Sequence, residues 1–440
     1  MLEFLILVGI AGLLLAKSIA GLVLGRFPSG ADLAQVSTFY YSVPLATLAY
    51  LQVDLRQMTF LNVIASDAQL AIISLRYVCL AMLSIEIGRY LSRSAGASEI
   101  KYTFVVNEAL VLRAGIFILL AFLVFPLGIY IFGLEFFLEG YATESLNSEA
   151  DLGTALIYSA VQALGVGLAF LMIVRLHTGR LPLKPLFWGS LIILILILFV
   201  RVKRLEVLTA LIPVAIILFA NRSRAKATVL RVVNGVLLLT GLAIISAVRV
   251  SEQLGFETLA FYFLSEGVYA GHSLPGIIHR IDVNLTGYEY GARFLNAVLA
   301  FIPSFFWPSK IEVVYGPDLI FEGISPLGAT TLLTEIILQG GAVAVFLFYV
   351  GLGASFERLE RFQEHWEEAK RSGQFPLRFG IYLIAISIFV PHFRDGIIPA
   401  LKLFMQSAAF FFAVAWIHRA KPWQSIVLDQ PRGNVAVPRS

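Results

Sequence analysis

Residues 109–132 read ALVLRAGIFILLAFLVFPLGIYIF, with Arg113 as their only charge. At a rise of about 1.5 Å per residue, a helix of this length reaches across the roughly 30 Å hydrocarbon core of a bilayer. Comparable apolar runs fall near 3–24, 36–53, 68–88, 154–174, 186–200, 205–221, 232–248, 329–354, 379–391 and 397–417. The expectation is an all-α polytopic integral membrane protein with about eleven transmembrane helices, forming one membrane domain over 1–440. The runs at 186–200, 205–221 and 379–391 are short for spans.

Composition agrees. Apolar residues make up 58% of the chain, charged residues 14%, and the mean hydropathy is +0.83. Soluble domains carry roughly 45–50% apolar and about 25% charged residues. Water cannot cover such a surface, so lipid must. The net charge of +4 is too small to suggest nucleic acid as a partner. Cys79 is the only cysteine, which excludes an intramolecular disulfide and a cysteine-based metal site. The first run carries Glu3 and no basic residue before it, and is longer than a signal-peptide core, so it reads as the first membrane helix. There is no P-loop, no G-x-G-x-x-G before a helix, no H-E-x-x-H and no transporter-like repeat.

Basic residues set the expected orientation. With the N-terminus outside, the inner segments (25–35, 89–108, 175–185, 222–231, 355–378 and the tail 418–440) hold 20 Lys and Arg, and the outer ones 9. The acidic connection 135–152 holds no basic residue and suits the outside. The segment 355–378 interleaves both signs and reads as an inner, solvated helix with i,i+4 pairs.

Residues 249–328 form the largest non-membrane segment, an outer loop between the eighth and ninth spans. Its stretch 294–307, FLNAVLAFIPSFFW, is apolar and aromatic, with Pro303 and Pro308 against one continuous helix. It is expected to fold back on the bilayer and roof a cavity, with Phe305, Phe306 and Trp307 in the interfacial belt. Cations gather on the same side: Arg201, Lys203 and Arg204 in one tight turn, Arg394 in another, and Arg280, Arg293 and Lys310 in the loop. Outer positive charge runs against the inner bias. Either it meets an anionic ligand such as a lipid-linked diphosphate, or it snorkels and pairs with Glu206, Asp282 and Asp395. Lys17, Arg76 and Arg113 read as snorkelling or paired within the bundle. Glu335 reads as a partner for one of the cations, and Lys402 as an extension of the basic set. His272 and His279 lack carboxylates at metal-site spacing, so no metal is expected.

The stretch Phe301-Ile-Pro-Ser-Phe-Phe-Trp-Pro-Ser-Lys310 resembles the outer-loop signature of oligosaccharide repeat-unit polymerases, the O-antigen polymerase (Wzy-type) family, nearest its enterobacterial common antigen members. Arg204 opening an apolar helix that ends at Asn221-Arg222, the turn Phe393-Arg394-Asp395-Gly396, and Gly340-Gly341 agree in order, so the likeness covers roughly 195–415. Lys310 stands where that pattern has arginine, and neither His272 nor His279 matches the loop histidine of the related ligases.

The resemblance implies a GT-C-like membrane glycosyltransferase in the bacterial inner membrane, multi-pass, with the N-terminus periplasmic and the C-terminus cytoplasmic. It implies an undecaprenyl-diphosphate-linked glycan donor and a lipid-linked repeat unit as acceptor, membrane lipid around both, no cofactor, and a chain-length-regulating co-polymerase as partner. Arg201, Lys203, Arg204, Arg280, Arg293, Lys310 and Arg394 would bind diphosphate, with Arg204 and Arg394 stabilising the leaving group beside Asp395. Asp282, Glu312, Glu322 and His392 are the candidate bases. The alternatives are a ligase of the same group, a transporter or flippase of an anionic or lipid-linked substrate, and an envelope scaffold.

Overall fold

The computed structural model describes residues 1–53, 67–94, 102–138, 148–200, 204–220, 228, 267–300, 302, 306, 307, 309–315, 324, 330–394, 396–415 and 417–419. In chain order the helices are α1 (Leu2–Leu24), α2 (Gly30–Tyr40), α3 (Val43–Tyr50), α4 (Ala68–Ser94), α5 (Glu108–Leu138), α6 (Ser148–Thr178), α7 (Lys184–Val200) and α8 (Arg204–Ala220). They continue with α9 (Ser273–Asp282), α10 (Ala292–Leu299), a π turn over Ile311–Tyr315, α11 (Leu332–Glu360), α12 (Trp366–Ser372), α13 (Leu377–His392) and α14 (Ile397–Val414). The chain is a mostly helical, multi-pass membrane protein.

Among the described residues, six helices are long and apolar enough to cross a membrane, lying in α1, α4, α5, α6, α14 and the run that begins with α11. Shorter apolar helices lie at 184–197, 207–220 and 377–389. Nine of the eleven expected spans therefore coincide with apolar helices, and the one at 232–248 lies outside the described residues. The expected span 36–53 is different: α2 and α3 meet at a break over Tyr41–Ser42. Pro44 explains it, because its ring would collide with the Tyr40 carbonyl in a continuous helix.

Three short strands were not expected. β1 (Tyr102–Val105) lies between β2 (Gln374–Pro376) and β3 (Ile417–Arg419), antiparallel to both. Phe104 faces Phe375 on one side and Ile417 on the other. Strand pairing requires the α4–α5 connection, the α12–α13 connection and the end of α14 to share one face of the protein. We call it the sheet face. α11, α13 and α14 lead away from the sheet, so the start of α11, the α13–α14 turn, α9 and α10 lie on the opposite face, the loop face.

α4 and α11 form the central packing pair, and glycine lets them close. A Cβ on Gly88 would stand 2.1 Å from the Val350 carbonyl oxygen, and one on Gly353 2.2 Å from that of Ile85. Backbone cannot retreat as a flexible side chain can. Gly88→Ala is expected to lower stability by about 1–3 kcal/mol, read as a fall in the thermal midpoint of the purified protein; an unchanged midpoint would mean that the helices separate at no cost.

The segment 355–378 is not the solvated helix expected. Phe362 and Trp366 are buried with Phe27, Phe375, Phe379 and Tyr382, and Phe27 lies edge-on to both Phe362 and Trp366 at 4.9 Å. Tyr382 donates to the Pro28 carbonyl at 2.6 Å. Lys370–Glu367 is a pair within the segment, but Glu357 and Glu360 reach across to α4 and α2. A single sequence shows the alternation of charges and not the neighbouring helices that accept them.

Candidate functional site

Among the described residues, charged side chains gather chiefly at two places in this apolar protein. On the loop face, the turn before α10 bends tightly: Tyr290 and Gly291 both have positive φ, +46° and +95°. This turn docks on a break in α11 at Gly340–Gly341, where Gly341 takes φ +59° and ψ −139°. The Glu289 N–H donates to the Leu338 carbonyl at 2.9 Å, and the Gly291 N–H to Gln339 Oε1 at 2.9 Å. The Leu338 carbonyl released by the break thus finds a partner, which buried backbone requires.

Arg293 lies at the centre, 1% exposed on α10. Its Nε is 3.1 Å from Glu289 Oε2, and its Nη1 3.4 Å from Glu335 Oε1. Gln339 Nε2 donates to Glu289 Oε2 at 2.9 Å. Glu335 also accepts from Thr330 Oγ1 at 3.1 Å and, through Oε2, from the Ile397 N–H at 2.6 Å. That last bond fixes the start of α14. Gly396 makes the approach possible: it has φ +83°, and a Cβ there would stand 2.2 Å from Glu335 Oε1. With the Leu332 N–H donating to the Phe393 carbonyl at 2.9 Å, the turn carrying Arg394 is clamped to the first turn of α11.

The expected site residues distribute as follows. Arg394 is half-buried in that turn, and Arg280 is half-buried in the last turn of α9. Lys310 is buried, its ammonium donating to the Ala300 and Ile302 carbonyls at 2.7 and 2.8 Å. Arg293 therefore holds the loop onto α11 and Lys310 ties the loop to itself, and a phosphate reaching either would have to displace a partner. Asp282 and Glu312 are exposed. Arg204 opens α8 and His392 closes α13, but their side chains lie outside the described residues, as do Arg201, Lys203, Glu322 and Asp395 altogether. His272 is buried with Nδ1 2.9 Å from the Ile324 carbonyl; burial pushes its pKa down, so the ring is neutral. No group of three or more metal-ligating side chains occurs among the described residues. Glu335 takes Arg293 as its cation. Glu289 and Gln339 were missed; the only sequence signal is polarity near glycine, Gly287 and Gly291 around Glu289 and the pair Gly340–Gly341 after Gln339.

The second cluster joins α1, α2, α4 and α11 towards the sheet face. Arg89 donates to Asp32 Oδ1 at 2.6 Å and lies 3.3 and 3.5 Å from Glu86 and Glu357. Arg93 grips Glu357 with both Nε and Nη2, at 2.7 and 3.0 Å. Lys17 pairs with Glu86, Arg76 with Glu3, and Arg113 donates to the Val414 carbonyl. These three intramembrane cations are thus paired, as their burial cost requires. Gln35 accepts a hydrogen bond from Ser18 at 2.7 Å and donates to Glu86 at 2.6 Å, while Glu360 accepts from the Gly30 N–H at 2.7 Å. This cluster is a closed weld between helices. The loop-face cluster carries half-open cations and a partly open carboxylate, and is the candidate site. No family model, curated protein or solved structure matches the chain.

Proposed function

We propose that the chain is a lipid-carrier glycosyltransferase of GT-C-like architecture that polymerises undecaprenyl-diphosphate-linked oligosaccharide repeat units at the periplasmic face of the bacterial inner membrane. On this reading the loop face is periplasmic and the sheet face cytoplasmic, in keeping with the bias of basic residues. The acceptor repeat unit's hydroxyl attacks the anomeric carbon of the donor glycan, and undecaprenyl diphosphate leaves. Negative charge grows on the leaving diphosphate, so fixed cations at headgroup depth are what the reaction needs.

The observation that carries the reading is convergence. The α10 turn, the broken start of α11 and the Arg394 turn come from three stretches of sequence and meet through Glu335. Arg394 is thereby held on a rigid support at the loop face, where a lipid-linked diphosphate lies. The break in α11 favours a second reading, a transporter, because interrupted membrane helices line midplane sites in many of those. A ligase of the same chemistry differs in acceptor alone.

The test is a gel of lipid-linked glycans from the native host with the gene deleted and then restored. Deletion is expected to replace the polymer ladder by single repeat units on the carrier, and restoration to return the ladder. Long chains that stay on the carrier after deletion would move the reading to a ligase; an unchanged glycan profile would move it to a transporter.

A further inference from the structure

Resting on the glycosyltransferase reading, we infer that Glu289 is the base that takes the proton from the acceptor hydroxyl. Its carboxylate sits at the junction of the strained 289–291 turn and the α11 break, held by Gln339 at 2.9 Å and Arg293 at 3.1 Å. It remains 16% exposed, while its neighbour Glu335 is 4% exposed with both oxygens engaged. A base must be fixed in direction and still reachable; Glu289 meets both conditions. Asp282 and Glu312 are exposed, and Glu335 is occupied in fastening α14.

The surroundings suit a sugar. Tyr288 and Tyr290 flank Glu289 and are exposed by 38% and 82%, their ring centroids 6.0 Å apart. Backbone strain of the Tyr290 kind persists where the surrounding structure enforces it, and it collects at functional sites. Here the enforcement comes from the two hydrogen bonds to Leu338 and Gln339. In the step, the acceptor oxygen forms a bond to the anomeric carbon as the bond from that carbon to the diphosphate oxygen breaks. The electron pair leaves with undecaprenyl diphosphate, and the hydroxyl proton moves to a Glu289 carboxylate oxygen. Arg293 and Gln339 are positioning residues, which keep the carboxylate aimed.

The experiment uses the full-length protein in proteoliposomes, supplied with the lipid-linked repeat units that accumulate in the deletion strain. Wild type and Glu289→Gln are compared for transfer rate between pH 6 and 9 and for thermal midpoint. We expect Glu289→Gln to fold normally and to transfer at least about 100-fold more slowly. Its residual rate should climb more steeply with pH than the wild-type rate, as hydroxide substitutes for the missing base. Wild-type rates in Glu289→Gln would overturn the assignment, and so would a variant that fails to fold, since Glu289 would then be a structural partner of Arg293. A wild-type protein that makes no polymer from these substrates would fail the glycosyltransferase reading itself, and the assignment with it.

Discussion

Arg394→Ala is expected to abolish polymer while leaving the amount of protein in the membrane normal. The leaving group is a diphosphate that gains charge as its bond to the sugar breaks, and catalysis of that step is chiefly electrostatic. A positioned donor of this kind typically contributes about 100- to 1,000-fold in rate. Polymerisation compounds the loss, because each added unit requires the same step again. The structure explains why the fold should survive. Arg394 is half-buried, and backbone bonds to Glu335 and from Leu332 hold the turn. Arg394→Lys keeps a charge but loses the planar fork that grips two phosphate oxygens, so its ladder should be shortened rather than absent. Arg204→Ala is expected to behave as Arg394→Ala does. The check is the glycan gel beside an immunoblot. A full-length ladder from either alanine variant would remove the diphosphate-clamp role for that arginine.

Arg89→Ala should cause a large loss of stability, on the order of 3–5 kcal/mol. Arg89 and Asp32 have side-chain exposures of 10% and 5%, and their ion pair is 2.6 Å long. Removing the guanidinium strands Asp32 and weakens the hold on Glu86 and Glu357, which it also approaches. Breaking a buried pair costs far more than the pair contributes, because the remaining charge has lost both water and partner. Hence Asp32→Asn added to Arg89→Ala should recover a substantial part of the loss, whereas Arg89→Lys should not restore full stability, since a point charge cannot bridge three carboxylates. The measurement is a double-mutant cycle on thermal midpoints of the purified protein. If Arg89→Ala moved the midpoint by no more than an exposed control outside the cluster such as Arg371→Ala, the cluster would be hydrated rather than buried.

The sequence by itself determined the solvent and the scaffold. Apolar runs such as 109–132 must be helices in lipid, because only a helix satisfies its own backbone there, and nine of the runs are apolar helices. It also determined that Glu335, Lys17, Arg76 and Arg113 must pair or reach the interface, since a charge within a span is costly to leave alone. Which partners they take was decided by the tertiary structure. Glu335 meets Arg293, 42 residues away in the chain, and Lys17 meets Glu86, 69 residues away. No local pattern encodes such pairings. The Tyr41–Ser42 break had a local cause in Pro44, overridden in the reading by the apolar run around it. The sheet had none: strands of three or four residues near 102, 374 and 417 are too short to show a period, and they exist only because folding brings those connections to one face. The candidate site divides the same way. Arg394 and its glycine turn are legible in sequence, whereas Glu289 acquires direction only when the α10 turn is pressed into the break of α11.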